Sequence, residues 1–229
     1  MIPLKDDNPI SSRPIVTYFL IGLCVVVFLM EIGSESYKTG YLIHRYGLIP
    51  SVLMGHGHDY LSRDFFVLPA YLTIITSMFM HGGWMHLIGN MWYMNIFADN
   101  IEDNLGSRNF IIFYILCGIA AAMAQVLMDT HSQVPMVGAS GAIGGVLGAY
   151  LINHPNARVL VLIPYIIITI IKIRALYVLG FWFILQFISS GGGVAYAAHI
   201  GGFVSGMILI LFFNKKTKRK SKIVKGPWS

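Results

Sequence analysis

Apolar runs of helical length alternate with short polar connections along most of the chain. The first run covers about 15–32 and follows a polar leader, 1–14, that holds Pro3, Pro9 and Pro14. The one long polar connection, 33–70, comes next; loops of that length carry function or short structure of their own. A second run, about 73–98, contains His81, His86 and Asn90, and a short acidic loop with Asp99, Glu102 and Asp103 follows it. Span 3 is about 108–128. A polar loop, 129–138, ends in Pro135-Met136-Val137-Gly138 and leads into span 4, about 140–153, which His154-Pro155 stops. The stretch Val159–Ile171 is apolar but only 13 residues long, contains Pro164, and lies between Arg158 and Lys172 with Arg174. At ~1.5 Å per residue a helix of that length cannot cross a core ~30 Å thick, so an interfacial or loop segment is expected there. Span 5 is about 175–190. A turn at Ser189-Ser190-Gly191-Gly192-Gly193 precedes span 6, about 194–213.

Composition turns these runs into membrane spans. Of 229 residues, 56% are hydrophobic and 11% charged, with a mean hydropathy of +0.69. Soluble domains carry about 25% charged residues. The expectation is an all-α integral membrane protein: a leader at 1–14, a six-span helical body at 15–213 with a short central span 4, and a basic tail at 214–229. The run Ile15–Met30 lacks a small-residue cleavage site after it and reads as a retained span. The formal charge of +6 arises in the tail, which holds seven Lys/Arg and no acid. The basic balance therefore points to a membrane face and not to nucleic acid. Six spans put both termini on one side. With that side cytoplasmic, thirteen Lys/Arg lie inside and three outside (Lys38, Arg45 and Arg63), as the positive-inside rule favours. No transit peptide is evident, so a prokaryotic plasma membrane is expected. Cys24 and Cys117 sit in apolar runs and read as buried thiols.

Candidate chemistry then falls in one layer. A helix from Ser140 to Asn153 reaches roughly 21 Å and leaves roughly 9 Å uncrossed, so span 4 must begin below the outer surface. Non-helical backbone at that depth needs cover from protein or a water-filled cavity. By the same rise His199 lies roughly 7 Å deep, His86 roughly 6 Å and Asn90 roughly 12 Å. Faces agree too: Ser140, Gly144 and Gly148 share one helical stripe, and His199, Gly202 and Gly206 share another. Small residues at such spacing let membrane helices approach closely, which would set the serine against the histidine. A serine hydroxyl needs a base, and neutral imidazole serves near neutral pH. An oxyanion needs donors; the Ser140 N–H at a helix start supplies one, and His86 and Asn90, at i and i+4, can supply two. After Asp129 the chain has no Asp or Glu, so a Ser–His dyad is expected in place of a triad. His81 and His86 are five apart with no Glu or Cys beside them, which does not fit the zincin pattern; no metal is expected. Intramembrane His and Asn also suit a transporter or channel, but no internal repeat supports that reading.

Taken together, the text resembles the rhomboid family of intramembrane serine proteases. The matching residues are His81-Gly-Gly-Trp-Met-His86-Leu-Ile-Gly-Asn90-Met-Trp, Glu102 with Leu105-Gly106, Gly138-Ala-Ser140-Gly141, and Ala198-His199-Ile-Gly-Gly202-Phe-Val-Ser-Gly206. The resemblance covers about residues 10–213. It implies a six-helix bundle with a cavity open to the outside, Ser140 as nucleophile and His199 as base. It further implies His86, Asn90 and the Ser140 N–H as the oxyanion hole, and His81, Gly138, Gly141, Gly202 and Gly206 as structural residues near the site. Substrates would be single-span membrane proteins within the lipid bilayer, with no cofactor. Two positions differ from many members: Tyr71-Leu72 stands where a Trp-Arg pair is common, and Gly144 stands where some carry an aromatic beneath the histidine. The alternative is a catalytically inactive rhomboid-like protein that binds membrane helices.

Overall fold

The computed structural model describes residues 1–34, 40–56, 68–164, 168–188 and 195–213. The basic tail and the Ser189–Gly193 turn lie outside the described residues. A strand β1 (Ile2–Asp6) leads to helix α1 (Ile15–Gly33), then two short helices, α2 (Tyr41–Tyr46) and α3 (Pro50–Leu53). A one-turn helix α4 (Thr73–Thr76), between two 3-10 turns, precedes α5 (Trp84–Leu105) and α6 (Ser107–Met128). Helix α7 (Ser140–Asn153) is followed by strands β2 (Arg158–Pro164) and β3 (Ile168–Arg174), then α8 (Ala175–Ile188) and α9 (Tyr196–Phe213). By length and composition, α1, α6 and α9 are each long and apolar enough to cross a membrane.

Helix α7 is the centre. Every residue from Gly141 to Tyr150 is buried, the pattern of a helix wrapped on all sides. Helices α5, α6, α8 and α9 pack around it. Glycine makes the closest of these approaches possible. A Cβ on Gly202 would run into the Gly141 carbonyl, one on Gly206 into the Gly145 carbonyl, and one on Gly148 into the Phe203 carbonyl. The two stripes expected from spacing thus face each other, with Gly141 and Gly145 completing the α7 side.

Three expectations change. The chain is not all-α: β1, β2 and β3 form an antiparallel sheet in that order, with Val161 opposite Ile171 and Arg158 opposite Arg174. The segment expected as interfacial or loop is therefore a hairpin. Its β-branched residues suit a pleated surface, and the period of two buries Val159 and Val161 while Arg158 is exposed. The leader joins this sheet through β1. Second, the run 73–98 is not one helix. Met80 to Gly83 break it, because two adjacent glycines are poor helix formers, and α5 begins at Trp84. His81 therefore precedes the helix that carries His86 and Asn90.

Third, the acidic residues close α5 and do not form a loop. Glu102 is buried and caps α1: its carboxylate accepts from the N–H of Val16 at 3.0 Å and of Thr17 at 2.7 Å, from Thr17 Oγ1 at 2.8 Å, and from Ser107 Oγ at 2.5 Å. Those N–H groups are among the unsatisfied donors of a helix start, where a negative charge is also favoured. Asp103 likewise receives the N–H and hydroxyl groups of Ser11 and Ser12.

The leader is held by a titratable contact as well. Tyr150 donates its hydroxyl hydrogen to Asp6. Burial pushes the Asp6 carboxyl up to about 6; the tyrosine bond opposes this, and the nearby Asp99 and Asp7 carboxylates add to it. Between the ordinary value of 3.8 and about 6, the docked strand binds more protons than the free one, so docking weakens as pH rises through that window. Amide-exchange protection in β1 should fall from about pH 4 to about pH 7, and Asp6→Asn should flatten that dependence. An unchanged slope in the variant would remove Asp6 as its source.

Candidate active site

Ser140 is the first residue of α7, and His199 lies one turn into α9. The glycine contacts bring these backbones together; a Cβ on Gly144 would lie 3.0 Å from the His199 carbonyl oxygen. Across this interface Ser140 Oγ and His199 Nε2 are 2.8 Å apart, a hydrogen bond. Gly141 lets the start of α7 seat between α6 and α9, since a Cβ there would lie 2.7 Å from Ala121 Cβ.

The loop before α7 meets α5. Gly138 has φ +123°, a region that favours glycine, and its N–H donates to the Ser77 carbonyl at 2.8 Å. A Cβ at Gly138 would lie 2.6 Å from His86 Nε2 and 3.6 Å from Asn90 Nδ2. Both side chains therefore flank the backbone two residues before the serine. Asn90 is buried, and its Nδ2 has no partner among the described residues; buried donors are rarely left so. Ser140, His199 and His86 line one open cavity with Gln125, Trp84 and Met85.

Sequence reasoning missed two residues of α8. Gln186 Oε1 lies 2.8 Å from His199 Nδ1, and Gln186 Nε2 donates to the Trp182 carbonyl at 2.7 Å. The Trp182 ring centroid is 5.7 Å from that of His199, with 36° between planes. Tyr196 approaches the imidazole edge-on at 6.4 Å. The backbone of α9 lies too close to Gly144 for an aromatic there; the ring beside the histidine comes from α8. The available signal was a lone amide in an otherwise apolar span, a residue type that hydrogen-bonds across membrane helices.

His81 is fully buried behind the site. Its N–H donates to Glu31 Oε2 at 3.4 Å, its Nδ1 is 3.2 Å from the Phe79 carbonyl, and its ring meets the His86 ring edge-on at 5.2 Å. Its route to the cavity-lining groups is through His86. Tyr71 and Leu72 lie in an exposed 3-10 turn, Ala70–Leu72. Among the described residues no group of three or more His, Cys, Asp or Glu gathers as a metal site would.

The chain is similar to known proteins over most of its length. The rhomboid domain family matches residues 69–216. The chain is 31% identical over 199 residues to rhomboid protease GluP of Bacillus subtilis, covering 86% of this chain and 34% of that protein. It is 31% identical over 138 residues to RHOMBOID-like protein 5 of Arabidopsis thaliana, covering 59% of this chain and 42% of that one. Rhomboid protein 1, mitochondrial, of Saccharomyces cerevisiae is 25% identical over 212 residues, 89% of this chain and 54% of the yeast protein. The chain spans about a third to a half of the length of these relatives. Its apolar helices make it an integral membrane protein, and the chain belongs to the rhomboid family.

Proposed function

We propose that the protein is an intramembrane serine protease that cuts peptide bonds in or near the spans of single-span membrane proteins. The observation that carries this reading is the 2.8 Å hydrogen bond from Ser140 Oγ to His199 Nε2, inside a cavity between packed helices. In this reading the six helices α1 and α5 to α9 are spans, α7 starts late, and the cavity opens to the outer face of a prokaryotic plasma membrane. The lysine and arginine bias supports cytoplasmic termini.

His199 Nε2 takes the hydroxyl proton as Ser140 Oγ attacks the scissile carbonyl carbon. The C=O electron pair moves onto oxygen. The Ser140 N–H, Asn90 Nδ2 and His86 receive that oxyanion, the first helped by the α7 dipole. The C–N bond then breaks, and the leaving nitrogen takes the proton back from His199. Water repeats the sequence on the acyl-enzyme: His199 accepts its proton, the hydroxide adds to the carbonyl, and the proton passes to Ser140 Oγ as the ester bond breaks. A helical span must unwind locally to expose its carbonyl, so small or helix-breaking residues near the cut are favoured.

Purified protein in liposomes should cleave a tagged single-span substrate, with product masses that give one principal cut site. Absence of both cleavage and fluorophosphonate labelling at Ser140 would favour the helix-binding, inactive alternative. Asn90→Ala should lower kcat about 10²–10³-fold with little change in KM, as expected for a donor used in the transition state. An effect confined to KM would remove Asn90 from the oxyanion hole.

A further inference from the structure

We propose that Gln186 of α8 is a positioning residue that fixes the tautomer and ring orientation of His199, giving the Ser–His pair an uncharged third member. The inference rests on the reading of Ser140 and His199 as nucleophile and base.

The orientation of the Gln186 amide follows from its other contact. Its Nε2 donates to the Trp182 carbonyl at 2.7 Å, so Oε1 is the atom facing His199 Nδ1 at 2.8 Å. An amide oxygen only accepts hydrogen bonds. The Nδ1 position must then carry the imidazole proton, which leaves the Nε2 lone pair to accept from Ser140 O–H. The second nitrogen of a histidine sets which form the first adopts. Here the partner that sets it comes from a helix other than those of the serine and the histidine.

The same side chain is out of place by any other account. Helix α8 exposes Leu176, Tyr177, Phe181, Ile184, Phe187 and Ile188, while its sole amide, Gln186, is turned inward and is 9% exposed. A polar group in such a helix needs partners; its amide nitrogen has the Trp182 carbonyl, and its oxygen has His199. Trp182, one turn earlier, stands beside the imidazole and limits its rotation. The absence of any Asp or Glu after Asp129 leaves no carboxylate in this part of the chain to do the same work. A neutral acceptor orients the ring without placing a net charge in a low-dielectric layer.

The test uses full-length protein in detergent and liposomes, with Gln186→Met and Gln186→Glu. Gln186→Met keeps the length and removes the acceptor; Gln186→Glu keeps an acceptor oxygen in reach of Nδ1–H. The methionine variant should lose about 10–100-fold in kcat at nearly unchanged KM, by comparison with the loss when a partner orienting a metal-bound histidine is removed. The glutamate variant should stay well above it. Equal thermal unfolding temperatures separate this from a packing defect. Histidine ¹⁵N NMR should find His199 protonated at Nδ1 in wild type and mixed between the two nitrogens in Gln186→Met. Unchanged kcat in Gln186→Met, or a wild-type His199 protonated at Nε2, would overturn the inference. If the wild type neither cleaves substrate nor takes up a fluorophosphonate probe, the protease reading fails, and the NMR result still decides whether Gln186 sets the tautomer.

Discussion

Ser140→Ala should abolish cleavage, with a loss of about 10⁴-fold or more in kcat and an unchanged fold. The side chain is small, and its hydroxyl is bonded to His199 Nε2 in the dyad, so the helix start loses no packing. What disappears is the atom that forms the acyl bond in the proposed mechanism. His199→Ala should match it, because an unactivated serine at neutral pH is a weak nucleophile. The double variant should be no worse than either single one, since residues that act as a unit are not additive. Product formation measured by mass spectrometry on a single-span substrate decides this. Cleavage retained within tenfold in Ser140→Ala would exclude the serine as nucleophile.

Gly206→Ala should destabilise the bundle, although it adds a single methyl group. The added Cβ would overlap the Gly145 carbonyl, with Gly145 Cα only 2.6 Å away. Backbone cannot step aside as the end of a side chain can, so α9 must shift away from α7. Overpacking of this kind costs about 1–3 kcal/mol and occasionally more. Because the interface also sets the distance from Ser140 to His199, activity should fall together with thermal stability in detergent. Gly22→Ala is the control: a Cβ there meets nothing within 4 Å, and alanine is the better helix former. Equal stability of Gly206→Ala and Gly22→Ala would contradict the close packing of α7 on α9.

Much of this site was legible because its signals are local. Ser140, Gly144 and Gly148 are related by helical period, as are His199, Gly202 and Gly206, and a span too short to cross placed the serine at depth. The structure joined those stripes and added Gly141 and Gly145, the residues on which Gly202 and Gly206 pack. Boundaries were less legible. The pair Gly82-Gly83 ends an apolar run that hydropathy alone continues, and the position of His81 moved with it. Acidic residues at the end of α5 read as a loop because their partners, the first N–H groups of α1, are more than eighty residues away in sequence. In the hairpin β2–β3, length excludes a span, but only the alternation of its β-branched residues marks the strands.

By itself, then, the sequence determined that the chain enters a membrane and which serine and histidine are spaced to meet. Apolar length, charge bias and the period of small residues are properties of short segments, and each acts before any long-range contact forms. Only the tertiary structure decided what surrounds that pair. The capping of α1 by Glu102, the sheet that ties the leader to β2, and the ring of Trp182 beside His199 all join residues with no periodic relation to one another. Gln186 belongs with them: a single amide in an apolar helix carries no spacing signal, and its partner was settled by the packing of α8 against α9.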